Sequence, residues 1–143
     1  MATDSAHFND FNTQLIADLR AHGGRATSGP FEGRELLILT TRGARTGQPR
    51  ENPLAFSEKG DDLVIAASKG GAPTHPAWYR NLEKDPEVTV EVRGETFKAR
   101  ARVATDDEYE DLYKVHADRM PGFWEYRKKT SRKLPVILLS RQG

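Results

Sequence analysis

Apolar residues recur along this chain with two periods, one typical of helices and one typical of strands. In the segment 8–21 they recur at spacings of three and four, which predicts an amphipathic helix that ends at Gly23-Gly24. The apolar positions are Phe8, Phe11, Leu15, Ile16 and Leu19. We expect this helix to pack on the body of the domain. The alternative is a lid or a flap that makes a peripheral membrane contact.

Continuous or alternating apolar runs predict six strands, at 36–41, 50–57, 63–67, 88–92, 96–103 and 134–139. The first run is too continuously apolar for a strand with one solvated face, so we expect it to be central. Pro53 and Pro135 cannot donate to a strand ladder, so the second strand should bulge or lie at an edge and the last should begin as an edge. The polar segment 58–61 predicts a hairpin turn between the second and third strands. The fourth and fifth strands alternate around Arg93-Gly94, which predicts another hairpin.

Three further segments carry helical signals. Pro76–Lys84 predicts a short helix, because proline is tolerated in a first helical turn and Asp85-Pro86 stops the helix. Thr105 and Glu108 have the spacing of a capping box, and the helix that follows has one face formed by Tyr109, Leu112, Tyr113 and His116. Residues 120–129 predict another short helix. Strands joined as hairpins, with helices inserted rather than alternating, predict an antiparallel barrel and not a doubly wound sheet.

The length of 143 residues predicts a single domain, 1–143, in which we expect residues 1–7 to be disordered. The 22 Lys and Arg residues nearly balance the 21 Asp and Glu residues, so no overall field favours nucleic acid and any anion selectivity must be local. No apolar run approaches the ~20 residues that span a bilayer, and the N-terminus lacks the regions of a signal peptide. We therefore expect a cytoplasmic protein.

Several classes of chemistry are excluded by residue type. The absence of cysteine excludes disulfides, thiolate metal sites and a cysteine nucleophile. The four histidines are scattered without zinc-ligand spacing, so we expect no metal site. Neither a dinucleotide fingerprint nor a Walker loop is present. His75 is expected to be a structural hydrogen-bonding group rather than a proton donor, and we assign no catalytic residue.

Two loops that follow predicted strands combine glycines, hydroxyls and cations. The loop 42–50 carries Arg45 and Arg50 on either side of Thr46-Gly47, so two guanidinium groups could bind phosphate or carboxylate oxygens. The second loop begins with Ser68-Lys69-Gly70-Gly71, which has the ingredients of an anion nest or of donors to a ring carbonyl. Each loop alone is typical of an ordinary turn. Together they predict two walls of one site for a cofactor with an anionic tail.

Three motifs follow one another in this chain, over residues 36–50, 67–73 and 75–82. They read Leu-Leu-Ile-Leu-Thr-Thr-x-Gly-x-Arg-Thr-Gly-x-Pro-Arg, Ala-Ser-Lys-Gly-Gly-Ala-Pro and His-Pro-x-Trp-Tyr-x-Asn-Leu. In order and spacing, from about Phe11 to Leu139, the chain resembles the deazaflavin-dependent nitroreductase family of actinobacteria. The resemblance implies an α+β fold, a split antiparallel β-barrel of the FMN-binding type with peripheral helices. It also implies coenzyme F420 as cofactor, a hydride-carrying deazaflavin with a phosphodiester and oligoglutamate tail.

The expected cofactor-binding residues lie in the two loops, in the second strand and in the helix after His75. They are Arg45, Thr46, Arg50, Asn52, Pro53, Leu54, Ala67, Ser68, Lys69, Gly70, Gly71, Ala72, Trp78, Tyr79 and Asn81. The exposed backbone around Pro53 suits a flat polar ring. Trp78 could cover that ring and Asn81 could bond strand backbone, although core packing alone would also explain Trp78.

An aromatic cluster lies late in the chain, and the resemblance places it on the substrate side of the deazaflavin. Its residues are Met120, Phe123, Trp124 and Tyr126. Met120 and Phe123 stand where some nitroreductases of the family have tyrosine. This departure argues against activation of bicyclic nitroimidazoles.

The function implied by the resemblance is that of an F420H2-dependent oxidoreductase. A hydride would pass from C5 of the reduced deazaflavin to a small electron-poor acceptor, namely a quinone, an activated enone or a nitroaromatic. We expect no nucleic-acid partner, and barrels of this kind often form homodimers. Two alternatives stay open: an FMN-binding oxidoreductase with the same barrel, and a non-catalytic cofactor carrier or fatty-acid binder.

Overall fold

The computed structural model describes residues 2–142, apart from the side chains of residues 2–10 and the surroundings of Gly70. Its helices are α1 (Ala2–Ala21), α2 (Ala77–Lys84), α3 (Asp106–Arg119) and α4 (Gly122–Lys128). Its strands are β1 (Leu37–Arg42), β2 (Pro49–Leu54), β3 (Ser57–Lys59), β4 (Asp62–Ala66), β5 (Glu87–Val92), β6 (Glu95–Val103) and β7 (Val136–Arg141). Short 3₁₀ turns span Gly29–Phe31 and Lys69–Gly71. The structure begins α1 at Ala2, before the predicted start at Phe8. The packing of Phe8 lies outside the described side chains, and it stays a prediction, as does the disorder of 1–7.

The strands form one antiparallel sheet of seven, in the order β2-β1-β5-β6-β7-β4-β3. β2 and β3 lie at opposite edges of this order, although only Ala55 and Phe56 separate them in the chain. The three Cα steps from Leu54 to Ser57 reach at most about 11 Å. A flat sheet of this many strands would be about 29 Å wide. The sheet must therefore curl until its two edges meet, which confirms the split barrel.

The prediction of one strand over 50–57 is wrong. The structure divides this segment into β2, which pairs with β1, and β3, which pairs with β4, so the sheet has seven strands and not six. The division falls at Phe56, whose ring is fully buried in the main core. The sequence alternates only loosely here, so nothing in its period marks the break. The predicted turn at 58–61 does form a hairpin, but it joins β3 to β4.

The two strand prolines have different outcomes. Pro53 lies in β2, an edge strand, as predicted. The prediction that the last strand begins as an edge is wrong, because β7 lies between β6 and β4. Pro135 immediately precedes β7, so the ladder does not need its missing N–H group, and its carbonyl accepts a hydrogen bond from the Ala67 N–H at 2.8 Å.

Other strand predictions are confirmed. β1 lies inside the sheet, between β2 and β5. β5 and β6 form a hairpin with Arg93 and Gly94 as its two-residue loop, at φ angles of 52° and 78°. A two-residue hairpin of this kind requires positive φ at both central residues, which the glycine provides without strain. α3 begins with the predicted capping box, in which the Thr105 N–H donates to Glu108 Oε1 at 2.9 Å.

α1 packs on the outer face of the sheet. Its buried residues Leu15, Ile16 and Leu19 contact Ala26, Leu36 and Ile38. Arg20 donates to Glu91 of β5 at 2.9 Å and to Glu51 of β2, so one guanidinium bridges the strands on both sides of β1. These contacts favour the packing interpretation of the helix over a lid. In the part of the chain that the structure describes, no helix combines the length and apolar character needed to cross a membrane.

We expect Phe56→Ala to destabilise the fold by about 3–5 kcal/mol, because the variant leaves a cavity where the chain crosses between the sheet edges. It also removes the ring that the Arg93 and Arg119 guanidinium groups approach at 5.4 Å and 5.1 Å from its centroid. Urea unfolding followed by circular dichroism measures the loss. Phe11→Ala is the control, since Phe11 is 39% exposed and should lose less than about 1 kcal/mol. Equal losses of unfolding free energy in the two variants would contradict a particular importance of the β2–β3 crossing for stability.

Candidate functional site

Both predicted loops leave the same end of the barrel. Neighbouring strands in this sheet are antiparallel, and β1 and β4 stand second and sixth in its order, so they run in the same direction. The loop 43–48 follows β1, and the loop 67–76 follows β4. The two loops are linked by α2, which begins directly after the second loop and whose Asn81 side chain bonds the first loop. This placement fits two walls of one site.

The first loop is held by α2. The Ala44 N–H donates to Asn81 Oδ1 at 2.9 Å, and the Ala44 carbonyl accepts from Lys84 Nζ at 2.7 Å. Asn81 Nδ2 also donates to Thr41 Oγ1 at 3.0 Å. Asn81 therefore bonds loop backbone and a strand hydroxyl, where strand backbone was expected. With these partners the buried Asn81 side chain holds the loop in place.

The same loop is compact around Gly43. A Cβ atom at this position would lie 3.0 Å from Thr46 Oγ1 and 3.1 Å from the Gln48 carbonyl, so a side chain would require these neighbours to shift by a few tenths of an ångström. Thr46 Oγ1 accepts from the Gln48 N–H at 3.2 Å and from Arg50 Nη2 at 3.5 Å. Arg45, by contrast, is exposed. The turn thus presents an exposed cation from a backbone that is internally hydrogen-bonded.

The register of β2 sorts the residues predicted there onto two faces. Arg50, Asn52 and Leu54 lie opposite Thr41, Leu39 and Leu37, whose side chains are buried. Because directly opposite residues share a face, these three β2 residues form one row on the inner face of the barrel. Pro53 lies opposite Ile38, which packs against α1. Pro53 is therefore separated from the other predicted contacts in this strand.

The second loop has the backbone geometry of an anion nest. Ser68 is in the right-handed helical conformation, with φ −84° and ψ −37°, and Lys69 is in the left-handed conformation, with φ 49°. Successive residues of this kind turn their N–H groups toward a common point. Among the described residues, neither of these two N–H groups has an acceptor. The nest geometry expected from the sequence is present, and the oxygen it binds stays a prediction.

Gly71 brings this loop against α4. Its φ is 84°, and a Cβ atom would lie 2.8 Å from the Tyr126 carbonyl and 3.0 Å from Lys129 Cβ. Only a glycine fits between the two segments with this conformation. The nest and the predicted substrate-side helix are therefore in direct contact.

Arg132 was missed by the sequence analysis. Its guanidinium donates to the carbonyls of Ala72 and Ser68, each at 2.8 Å, and to that of Ala67 at 3.2 Å. It also donates to His75 Nδ1 at 2.9 Å, and burial lowers the pKa of the arginine. Arg132 lies in a polar segment with neighbouring cations, about 60 residues along the chain from the loop it holds. No local pattern could have identified it.

The contacts of His75, Trp78 and Tyr79 indicate structural roles for these residues. Because arginine can only donate, His75 Nδ1 must accept, and burial followed by the charge of Arg132 lowers the pKa of the imidazole. This agrees with the expected role as a hydrogen-bonding group. Trp78 and Tyr79 are buried in the main core, and burial raises the pKa of the Tyr79 phenol. The core alternative for Trp78 is therefore favoured over a ring cover.

Tyr126 of the substrate-side cluster has an unpaired hydroxyl, unlike two tyrosines of the neighbouring helix α3. Tyr109 donates to the Leu134 carbonyl, and Tyr113 donates to the Phe123 carbonyl, with burial raising the Tyr113 pKa to about 12. In the described chain the Tyr126 hydroxyl has no hydrogen-bond partner. Two other members of the cluster are committed elsewhere. Met120 is buried, and Trp124 Nε1 donates to Asp118 Oδ1 at 3.2 Å.

A buried polar pair lies beneath this cluster. Ser57 Oγ and His116 Nδ1 are 2.9 Å apart, and the Phe123 ring packs against the imidazole with 4.4 Å between centroids. His116 Nε2 has no hydrogen-bond partner among the residues that the structure describes. We infer that Ser57 donates to Nδ1, since the opposite arrangement would also leave the serine proton unpaired. Burial, with a smaller contribution from Arg119, lowers the pKa of His116 to about 4.

The cations of the two loops differ from several other arginines of the chain. Arg20, Arg93 and Arg100 each pair with a carboxylate. Arg45, Arg50 and Lys69 make no salt bridge within the described part of the chain. Positive charge is therefore locally unbalanced at this end of the barrel, although the chain as a whole is nearly neutral.

Comparison with known proteins gives consistent matches. The model of the F420H(2)-dependent quinone reductase family matches residues 13–141. An F420H(2)-dependent quinone reductase of Mycobacterium tuberculosis (strain ATCC 25618 / H37Rv) is 38% identical over 109 residues, which cover 74% of this chain and 73% of the relative.

Two solved structures are similar over much of the chain. An F420-H2 dependent reductase, FDR-A, is 34% identical with a TM-score of 0.68 and covers 73% of this chain and 93% of its own. A structure described as a domain-swapped dimer is 30% identical with a TM-score of 0.70 and covers 98% of this chain and 100% of its own.

The stability of the protein should fall between about pH 6.5 and pH 4 because of His116. The folded state keeps this imidazole neutral down to about pH 4, whereas its ordinary pKa is 6.5. As the pH falls, the unfolded state therefore binds the proton first. The contribution of the neutral His116 imidazole to the free energy of unfolding is fully present only above its ordinary pKa of 6.5. The loss should approach about 3 kcal/mol at the acid end.

Urea unfolding at pH 7 and pH 4.5 tests this in wild type and in Ser57→Ala/His116→Leu. The double variant removes both partners of the buried pair, so it should fold and lose less stability on acidification. His22→Gln, at an exposed histidine, is the control and should behave as wild type. The same acid sensitivity in the double variant and wild type would contradict the assignment.

Proposed function

We propose that this chain, which belongs to the F420H(2)-dependent quinone reductase family, catalyses hydride transfer from reduced coenzyme F420 to a quinone. One observation carries this proposal. The Ser68–Lys69 nest and the free Tyr126 hydroxyl lie on segments that touch through Gly71. The loop that carries the oxygen-binding backbone thus contacts the backbone of the helix that carries this phenol.

The residues present fit F420. The cofactor has a phosphodiester and a carboxylate-bearing tail, and the chain offers three cations without carboxylate partners in its described part, together with two unpaired backbone donors. These groups are spread over two separate loops, one after β1 and one after β4. A single FMN phosphate would need only a compact pocket. This spread supports F420 over FMN, and Arg45, Arg50, Lys69 and Ser68 are the residues we assign to hold it.

The protein's own contribution is positioning and electrostatic. When bound, the reduced deazaflavin supplies the hydride, so the protein needs no nucleophile. Arg132, Asn81 and Gly71 keep the two loops rigid, which favours a fixed distance between the reacting atoms. We assign to Tyr126 the donation of a hydrogen bond to an acceptor oxygen as negative charge develops on that oxygen.

We extend the proposal to activated enones and nitroaromatics as further acceptors. Each of these classes gains negative charge on an oxygen when it accepts a hydride, so the same phenol could bind it. Bicyclic nitroimidazoles are not included, because Met120 and Phe123 replace the tyrosines of some nitroreductases. Met120 is also buried, so it offers little surface to a bulky acceptor.

We also propose that the chain forms a homodimer. The neighbour described as a domain-swapped dimer covers 98% of this chain. β2 stands at the end of the strand order, with a second strand paired to it on one side only. Light scattering of the purified protein should give twice the monomer mass of 16.0 kDa, and a monomer at micromolar concentration would contradict this part of the proposal.

We expect F420 to bind with micromolar or better affinity and FMN far more weakly, as measured by fluorescence titration. Arg45→Ala/Arg50→Ala should weaken F420 binding by about 3 kcal/mol or more, since a charge-assisted hydrogen bond contributes about 1.5–3 kcal/mol. Arg100→Ala, at an exposed arginine paired with Glu87, is the control and should bind as wild type. Equal affinity for both cofactors would defeat the assignment. An unaffected double variant would show that the first loop is only a turn.

Tyr126→Phe should lower turnover with a quinone by about 10²-fold while F420 affinity stays near that of wild type, because one hydrogen-bond donor to the developing charge is lost. Steady-state rates at saturating cofactor measure this. Tyr113→Phe is the matched control, since the Tyr113 hydroxyl is bonded to the Phe123 carbonyl and its loss should lower stability more than acceptor turnover. Full activity in Tyr126→Phe would mean that this phenol only packs α4 against the barrel.

A further inference from the structure

Arg132 contacts the second loop from the side opposite its free donors. The carbonyls of Ala67 and Ser68 both point at its guanidinium, at 3.2 Å and 2.8 Å. In a planar trans peptide the carbonyl and the N–H of the following residue point in opposite directions. The N–H groups of Ser68 and Lys69 therefore point away from Arg132. These are the two donors of the nest, and they have no acceptor among the described residues.

Lys69 needs such support. Its φ of 49° is uncommon for any residue other than glycine. A conformation of this kind persists where the surrounding structure over-determines it. The loop's own bonds, from the Gly71 N–H to the Ser68 carbonyl and from the Ala72 N–H to the Lys69 carbonyl, close the 3₁₀ turn. Arg132 adds donors to the carbonyls on either side of the turn, at Ser68 and Ala72.

We propose that Arg132 is a positioning residue that preorganises the Ser68 and Lys69 N–H groups to bind an oxygen of the cofactor, without touching the cofactor itself. The inference rests on the proposed function. The oxygen is negatively charged or strongly polarised, and it belongs either to the phosphodiester and carboxylate tail or to a carbonyl of the deazaflavin ring. In both cases the backbone donors bind it and the arginine fixes their direction.

Charge alone is a competing explanation, since a cation near the site would attract an anionic cofactor. The geometry separates the two. The guanidinium is committed to four acceptors: three carbonyls and His75 Nδ1. A lysine would keep the charge but could not reproduce the planar fork that spans these acceptors. Arg132→Lys should therefore fail to restore binding if the role is positioning, and should restore it if the role is charge.

Fluorescence titration with F420 and with a tail-free deazaflavin, which keeps only the ring and ribityl chain, tests the proposal. We expect Arg132→Gln and Arg132→Lys each to raise the Kd for F420 about tenfold or more. A loss seen with F420 alone assigns the oxygen to the tail, and a loss seen with both ligands assigns it to the ring. Arg141→Gln, at an exposed arginine paired with Glu95, is the control and should bind as wild type. An unchanged Kd in both Arg132 variants, or full recovery in Arg132→Lys, would overturn the proposal.

A second set of variants acts on the loop itself. Lys69→Gly and Lys69→Ala both remove the lysine charge, but only glycine adopts a positive φ without support. Adding Arg132→Gln should therefore raise the Kd for F420 in both backgrounds. The increase should be several-fold smaller when residue 69 is glycine than when it is alanine. Equal losses in both backgrounds would contradict a role through the Lys69 backbone.

His75 provides a readout that needs no cofactor. Its low pKa owes part of its shift to the neighbouring Arg132, so Arg132→Gln should raise the imidazole pKa toward its ordinary value in an NMR titration. That result shows that the contact exists and that the variant is folded. If wild type binds no F420, the proposed function fails while the His75 titration still reports the contact. If F420 binds equally to wild type and to both Arg132 variants, the positioning role alone fails.

Discussion

The structure depends on a short crossing between the two edges of its sheet. Two residues carry the chain from β2 to β3, and a connection of that length exists only if the edges adjoin. Phe56 fills the inside of this crossing, fully buried. β1 and β4 run in the same direction, and the two cofactor loops that follow them form one rim of the barrel. The second cofactor loop leads directly into α2, and Asn81 of that helix bonds the first loop, so α2 links the two loops.

The rim is held by polar side chains that bond to backbone. Asn81 and Lys84 satisfy the N–H and carbonyl of Ala44, and Arg132 satisfies three carbonyls of the second loop. A partly buried loop would otherwise leave these groups unpaired, at a cost of about 1–3 kcal/mol for each. The carbonyls are bound from the protein side. The N–H groups of Ser68 and Lys69 point away from Arg132, and the cations of the two loops are exposed, so the donors and charges that an anionic ligand needs stay free.

Much of the fold could be predicted from local pattern, and the failures have a common cause. The capping box at Thr105, the hairpin at Arg93-Gly94 and the edge position of Pro53 each depend on a few adjacent residues. The split at Phe56 and the interior position of β7 depend on which strands pair, and period alone does not report pairing. In the site, the glycines and cations of the two loops were visible as motifs. Arg132 was not, because its partners are distant in the chain and its neighbours are ordinary surface residues.

The place of β7 in the strand order has a consequence for folding. β2, β1, β5 and β6 form one part of the sheet, β4 and β3 form the other, and β7 alone pairs with both. The hairpin β3–β4 is made early in synthesis, yet its second edge waits for residues 136–141. Pairings that close such long loops are slow, and they expose an unpaired edge until they form. During translation the nascent barrel therefore stays open, and its apolar interior needs shielding until the final strand leaves the ribosome.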